Sequence, residues 1–79
     1  MMQHISKIEI AERLDEVLGT PVGLQGLTTL IYGWTRKDPQ LRVNISHRRW
    51  LYGYELKELS EYAGYNLRPR NYDSICEDE

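Results

Sequence analysis

Cysteine is nearly absent from this 79-residue chain, and so are long apolar runs. Cys76 is the only cysteine, which excludes an intrachain disulfide and a zinc site built from several cysteines. The longest apolar runs, such as Leu30-Ile31-Tyr32, are far shorter than a membrane span. The first residues also lack the basic and apolar regions of a signal peptide. We therefore expect a cytoplasmic protein with no membrane partner.

Side chains that could carry catalysis or bind a metal are also few. The two histidines, His4 and His47, are far apart in the sequence, and no spacing joins them to a nucleophile or to a set of metal ligands. Ser46 and His47 are adjacent rather than convergent, and Cys76 lies in an acidic segment. We expect exposed histidines, no catalytic residue, no cofactor and no metal, and hence a protein that is not an enzyme.

Charge is distributed unevenly along the chain. The formal net charge is -2, but four of the twelve acidic residues lie at or beyond Asp73. Between residues 36 and 49, five lysines and arginines are accompanied by Asp38 alone. Such a segment has the sign expected of a surface that contacts phosphates. Residues 65–79 are predicted to be an irregular, partly flexible acidic tail, in which the residues from Asp73 onward do not pack.

Three amphipathic helices are predicted from apolar spacing and end signals. The first begins at Lys7, after the capping box of Ser6 and Glu9, and ends at Gly19. The second follows the turn at residues 20–23 and has apolar residues at 27, 30, 31 and 34. The third runs from Tyr54 to Ala63, with Gly64 as its cap. We expect one core made by Ile10, Leu14, Leu18, Leu27, Leu30, Ile31, Trp34, Val43, Trp50, Leu56 and Leu59.

A β-hairpin is predicted between the second and third helices. Asp38-Pro39 ends the second helix, and Leu41, Val43 and Ile45 then alternate with polar residues as in a half-buried strand. Residues 46–48 form a short basic turn, and residues 49–52 form the second strand. The order helix, helix, hairpin, helix is that of a small α+β winged helix-turn-helix domain, which we place at residues 5–64.

Two short stretches resemble a known family. Ile31-Tyr32-Gly33-Trp34 is similar to the aliphatic-Tyr-x-Trp end of the second helix in MerR-like winged helices. Arg49-Trp50-Leu51-Tyr52, followed by Glu55-Leu56, is similar to a wing strand that runs into a helix. This layout resembles the winged helix shared by phage excisionases and by the DNA-binding domains of some phage packaging subunits. The resemblance implies binding to double-stranded DNA.

The interpretation favoured by these patterns is sequence-selective binding of double-stranded DNA, by a small transcriptional regulator, an excisionase or an architectural factor. A polar stripe on the second helix would face the groove, and the basic residues would contact phosphates. The alternative is a protein-binding adaptor or inhibitor on a winged-helix scaffold, and a homodimer stays open. The predicted DNA-binding residues are Gln25, Thr28, Thr29, Tyr32, Arg36, Lys37, Arg42, His47, Arg48 and Arg49.

Overall fold

The computed structural model of the chain describes residues 4–67 and 71–76. A short strand, β1 (His4–Ser6), leads into three helices, α1 (Lys7–Leu18), α2 (Gly23–Trp34) and α3 (Pro39–Ser46). Strand β2 (Trp50–Tyr52), helix α4 (Gly53–Asn66) and a short 3₁₀ helix (Tyr72–Ile75) follow. The fold of these residues is a small α+β arrangement of four helices and one two-stranded antiparallel sheet. No helix in the described ranges is long and apolar enough to cross a membrane.

Helix α1 begins and ends where the sequence predicts. The Ser6 hydroxyl accepts a hydrogen bond from the Glu9 amide at 3.1 Å, and Gly19 ends the helix in the left-handed conformation with φ 73°. The Glu9 carboxylate does not complete the predicted capping box. It forms an ion pair with Arg13 at 2.7 Å, one turn further along the helix.

The start of α2 depends on a side chain from α1. Asp15 Oδ1 accepts hydrogen bonds from the backbone amides of Val22 and Gly23, at 3.0 and 2.9 Å. The Val22 amide also donates to the Thr20 carbonyl at 2.9 Å, whereas the Gly23 amide lies in the first turn of α2, where the helix itself offers no acceptor, so the Asp15 carboxylate caps it. Near the other end of α2, Gly33 approaches the Tyr62 hydroxyl so closely that a Cβ atom would collide with it. The glycine therefore lets α2 and α4 pack close together.

The predicted first strand of the hairpin is wrong, because its residues form helix α3. The Asp38 carboxylate accepts a hydrogen bond from the Leu41 amide at 3.2 Å, and Pro39 occupies the first helical turn. An Asp-Pro pair starts a helix here, since proline tolerates this position and aspartate caps it. Ile45 is buried, whereas Val43 is 47% exposed and does not join the core as predicted.

The predicted second strand exists, but it has a different partner. Strand β2 pairs antiparallel with β1, so that Ile5 lies opposite Leu51 and Ser6 lies opposite Trp50. No hairpin connects two consecutive strands in the described residues, and the sheet is therefore not a wing between helices. The loop at residues 47–49 joins α3 to β2 and is not a hairpin tip.

Helix α4 is longer than predicted and continues through Gly64 to Asn66. The segment beyond it is also more ordered than predicted. Tyr72 and Ile75 are buried in the 3₁₀ helix, and the Ile75 carbonyl accepts a hydrogen bond from the Arg13 guanidinium at 2.9 Å. The prediction that residues from Asp73 onward do not pack is thus wrong for Ile75, and residues 77–79 of that prediction lie outside the described residues.

The core lies between α1, α2, α4 and the 3₁₀ helix. Seven of the eleven predicted core residues are fully buried, while Leu18 and Trp34 pack against the core with part of their surface exposed. Trp50 is half-buried on the sheet. The core also contains residues that the prediction omitted, namely Ala11, Ile45, Leu51, Ala63, Tyr72 and Ile75.

Candidate nucleic-acid interface

The connection between α2 and α3 displays two of the predicted basic residues. It consists of the four residues Thr35–Asp38, and Arg36 and Lys37 are both exposed. Thr35 is fully buried, and its hydroxyl donates to the Ile31 carbonyl at 2.7 Å. The Asp38 amide in turn donates to the Thr35 carbonyl at 2.9 Å. These bonds give the turn a defined conformation, so Arg36 and Lys37 project from a fixed backbone.

Helix α3 and its C-cap carry an exposed stripe in which Gln40 and Asn44 were not predicted as site residues. Gln40, Val43, Asn44 and His47 lie at positions i, i+3, i+4 and i+7, and all are exposed. Leu41 and Ile45 lie on the opposite side, against the rest of the protein. The signal was present in the sequence, since Leu41 and Ile45 are four residues apart. Val43 completes an alternating pattern with the same two residues, and this alternation predicts a strand equally well.

Arg42 and Tyr32 connect α3 with the polar face of α2. The Arg42 guanidinium lies 5.2 Å from the centre of the Tyr32 ring, a cation–π contact. Thr28, Tyr32, Arg42 and Ser46 line one shallow depression between these helices. The structure therefore brings part of the predicted α2 stripe next to α3.

The hydroxyl groups of Thr28 and Thr29, both predicted DNA contacts, already donate hydrogen bonds within α2. Thr28 donates to the Leu24 carbonyl at 2.9 Å, and Thr29 donates to the Gln25 carbonyl at 3.0 Å. Both side chains stay exposed, as does Gln25. With these bonds in place, the two hydroxyls can accept a hydrogen bond from a ligand but do not offer it a proton.

Arg48 differs from the other predicted phosphate contacts because it forms a buried ion pair. Its two terminal nitrogens donate to the two carboxylate oxygens of Glu55, at 3.0 and 2.8 Å. The side chains are 16% and 3% exposed. The hydrogen bonds to Glu55 raise the pKa of the Arg48 guanidinium further above its usual value. The same guanidinium covers the rings of Trp50 and Tyr52, so little of it faces solvent.

Lys7 is a further cation near α3 that the sequence analysis did not select. Its ammonium group donates to the Ile45 carbonyl at 2.8 Å, in the last turn of α3. A cation at this end complements the helix dipole. Burial and, to a smaller extent, the charge of Arg48 lower the pKa of Lys7 below its usual range. Arg49 lies beside this contact, because its carbonyl accepts from the Lys7 amide at 2.8 Å, and its side chain is exposed.

Four other predicted cations form no side-chain ion pair with another described residue. Within residues 4–67 and 71–76, the side-chain ion pairs join Arg13 to Glu9 and Arg48 to Glu55. Arg36, Lys37, Arg42 and Arg49 belong to neither pair. The carboxylate of Asp38 is the acidic group closest in sequence, and it caps α3. Four cations in and around α3 are therefore not neutralised by an ion pair with any residue that the structure describes.

A groove of about 570 Å³ lies on the other side of α2. Its lining includes Leu14 and Leu18 from α1, Tyr62 from α4, and Tyr72. Helix α2 supplies five lining residues, namely Gly26, Thr29, Leu30, Tyr32 and Gly33. Arg36 and Arg42 also line this groove. Two of the predicted site residues, Tyr32 and Arg42, line both this groove and the depression beside α3.

The histidines and the cysteine do not converge on one another. His4 stacks on Trp50, with ring centres 5.1 Å apart, while His47 ends α3. The Cys76 thiol lies 3.4 Å from the Ser60 hydroxyl, next to α4. In the part of the chain that the structure describes, no three His, Cys, Asp or Glu side chains are close enough to hold a metal ion.

No protein-family model, curated protein or solved structure gives a significant match to this chain. The geometry and electrostatics of the described residues are therefore the basis for a functional assignment.

Proposed function

We propose that this protein binds double-stranded DNA through a helix-turn-helix formed by α2 and α3, with α3 in the major groove. The observation that carries the proposal is the exposed stripe of Gln40, Asn44 and His47 on a short helix surrounded by cations. The four-residue turn between α2 and α3 has the length usual for this motif. The site differs from the predicted one, because α3 replaces α2 as the helix that contacts bases.

Side-chain chemistry supports a role of α3 in base recognition. Asn44 and Gln40 carry amide groups, which can bond to both the N6 and the N7 atoms of adenine. His47 can donate to, or accept from, a base edge or a phosphate. All three are exposed, and none of their side chains holds α3 in place, since α3 packs through Leu41 and Ile45. They are thus available to a ligand.

The cations provide the attraction to the DNA backbone. Arg36 and Lys37 precede α3 in the turn, Arg42 lies on α3, and Arg49 follows it. Contacts to phosphates position a protein on DNA and give most of its sequence-independent affinity. Arg48 is not included in this set, because its guanidinium already donates two hydrogen bonds to the Glu55 carboxylate.

Fluorescence anisotropy with labelled duplex DNA tests the proposal. We expect binding to random duplex that weakens steeply between about 50 and about 200 mM salt, because counterions are released from phosphates. Lys37→Ala should weaken binding to every duplex and reduce the salt slope by about 0.9. Lys57→Ala is the matched control, since Lys57 is an exposed lysine on α4, which is not part of the proposed α2–α3 motif, and should leave the slope unchanged.

Asn44→Ala tests base recognition separately, after selection of a preferred duplex from a random pool. It should reduce discrimination between the preferred and random duplexes, with a smaller effect on binding to random DNA. The absence of binding at the lower salt concentration would overturn the proposal, and so would equal losses from Lys37→Ala and Lys57→Ala.

A further inference from the structure

The groove beside α2 combines an apolar lining with a positively charged rim. Leu14, Leu18 and Leu30 supply aliphatic surface, and the rings of Tyr62 and Tyr72 supply aromatic surface. The volume of about 570 Å³ lies within the range typical of small-molecule sites. Leu14, Leu30 and Tyr72 are themselves almost fully buried, so the apolar surface that a ligand would remove from water belongs mainly to the partly exposed Leu18 and Tyr62.

Two glycines of α2, Gly26 and Gly33, lie in the lining of the groove. A Cβ atom at Gly33 would collide with the Tyr62 hydroxyl, and one at Gly26 would collide with the Val22 side chain on the preceding turn. Gly33 therefore lets the Tyr62 side chain lie against α2 as one wall of the groove.

The charged residues of the lining indicate which charge a ligand of the groove would carry. Arg36 and Arg42 are the charged residues among those described around the groove, and no carboxylate from the described residues lines it. Tyr32, whose ring contacts the Arg42 guanidinium, lines the same groove. An apolar ligand with one anionic group would satisfy both features, whereas a cationic ligand would meet two guanidinium groups.

We propose that this groove binds a small molecule that has an apolar body and one anionic group, such as an aromatic or aliphatic carboxylate or sulfonate. The body contacts Leu18 and Tyr62, and the anionic group lies at Arg36 and Arg42. Where the chain also binds DNA as proposed above, the ligand and the phosphates compete for these two arginines. Such competition makes the two affinities reciprocally linked.

Two fluorescent probes that differ in charge test the site in the absence of DNA. The anionic probe is 8-anilino-1-naphthalenesulfonate, and N-phenyl-1-naphthylamine is its uncharged analogue. We expect the full chain to bind both. Arg36→Ala combined with Arg42→Ala should weaken binding of the sulfonate tenfold or more and change binding of the uncharged probe less than twofold. Equal effects on both probes would overturn the anionic part of the proposal.

A matched pair of variants and a binding map test the location. Thr29→Trp places a large ring in the groove lining and should weaken both probes, whereas Gln25→Trp on the same helix should weaken neither. In two-dimensional amide spectra, the sulfonate should shift the Gly26 and Gly33 signals. Near-UV circular dichroism checks that each variant keeps its native packing. Shifts confined to other residues, or probe binding only after loss of native packing, would overturn the proposal.

The probe measurements need no DNA, so their outcome is independent of the proposed function. Competition is then measured by adding the sulfonate to the protein–DNA complex. We expect it to release DNA from the full chain, whereas the uncharged probe, added at a concentration that saturates the groove, should release less DNA because it does not compete for the two arginines. Simultaneous binding of probe and DNA would contradict competition while leaving the groove site supported by its own measurements.

Discussion

Arg48 and Glu55 form a two-point ion pair that joins the loop after α3 to the first turn of α4. The nitrogen–oxygen distances are 3.0 and 2.8 Å, and Glu55 is almost fully buried. Glu55 also accepts a hydrogen bond from the Tyr52 amide at 2.9 Å, which links the pair to the end of β2. One arginine therefore stabilises the junction of three elements, and its neighbour Arg49 remains exposed.

Arg48 and Arg49 are expected to have different roles, which alanine substitution distinguishes. Arg48→Ala leaves the Glu55 carboxylate buried without its cation, and loss of one partner of such a pair costs about 3 kcal/mol. Arg49→Ala should change the free energy of unfolding by less than about 0.5 kcal/mol, because the side chain is exposed. Urea denaturation measures both values. On DNA the order should reverse, with Arg49→Ala reducing affinity in proportion to a lost phosphate contact.

A double variant distinguishes the cost of an unpaired buried charge from the cost of losing the Arg48 side chain itself. Arg48→Met with Glu55→Leu removes both charges, so it should recover part of the stability that Arg48→Ala loses. Full recovery is not expected, because the Tyr52 amide loses its acceptor. If Arg48→Ala were as stable as the unmodified chain, the ion pair would have no structural role.

Ile75 is expected to be a structural residue in spite of its acidic neighbourhood. It is fully buried between α1 and α4, so Ile75→Ala should lower the free energy of unfolding by about 3 kcal/mol. Asp73→Ala is the control in the same 3₁₀ helix, since Asp73 is exposed, and it should have little effect. Thermal melts followed by circular dichroism provide the comparison. An unchanged melting temperature for Ile75→Ala would show that the 3₁₀ helix does not pack on the core.

Asp38 is expected to affect stability and DNA binding through different properties of its side chain. Asp38→Ala removes the cap of α3 and should cost about 1 kcal/mol, with reduced protection of the Leu41 amide in hydrogen exchange. Asp38→Asn keeps a good capping group and removes the charge, so the stability should be retained. Asp38→Asn should also bind DNA more tightly at low salt, because one repulsive charge is lost. Equal stability of the two variants would contradict the capping role.

Local signals in the sequence were sufficient for three helices. Ser6 and Gly19 mark the ends of α1, and apolar spacing marks the buried faces of α2 and α4. These signals act within one or two helical turns, so they can be interpreted without knowledge of distant contacts. The basic character of residues 36–49 was likewise visible in the sequence.

The identity of α3 could not be decided from periodicity alone. Leu41, Val43 and Ile45 fit the alternation of a strand, and Leu41 with Ile45 fits the spacing of a helix. Asp38-Pro39 was also ambiguous, because the same pair can end one helix and start the next. Interpreted as a strand, these residues put Val43 in the predicted core. The exposed positions of α3 are visible only when the segment is treated as a helix.

Local sequence thus determined where most helices lie and where positive charge accumulates, because caps, apolar spacing and side-chain charge depend on neighbouring residues. Tertiary structure decided the partner of β2, which pairs with residues more than forty positions away in β1. It also decided that Arg48 forms an ion pair with Glu55 while Arg49 stays exposed, although the two arginines are adjacent and chemically alike. Such choices depend on which distant groups share a buried space after folding, and no local pattern encodes that arrangement.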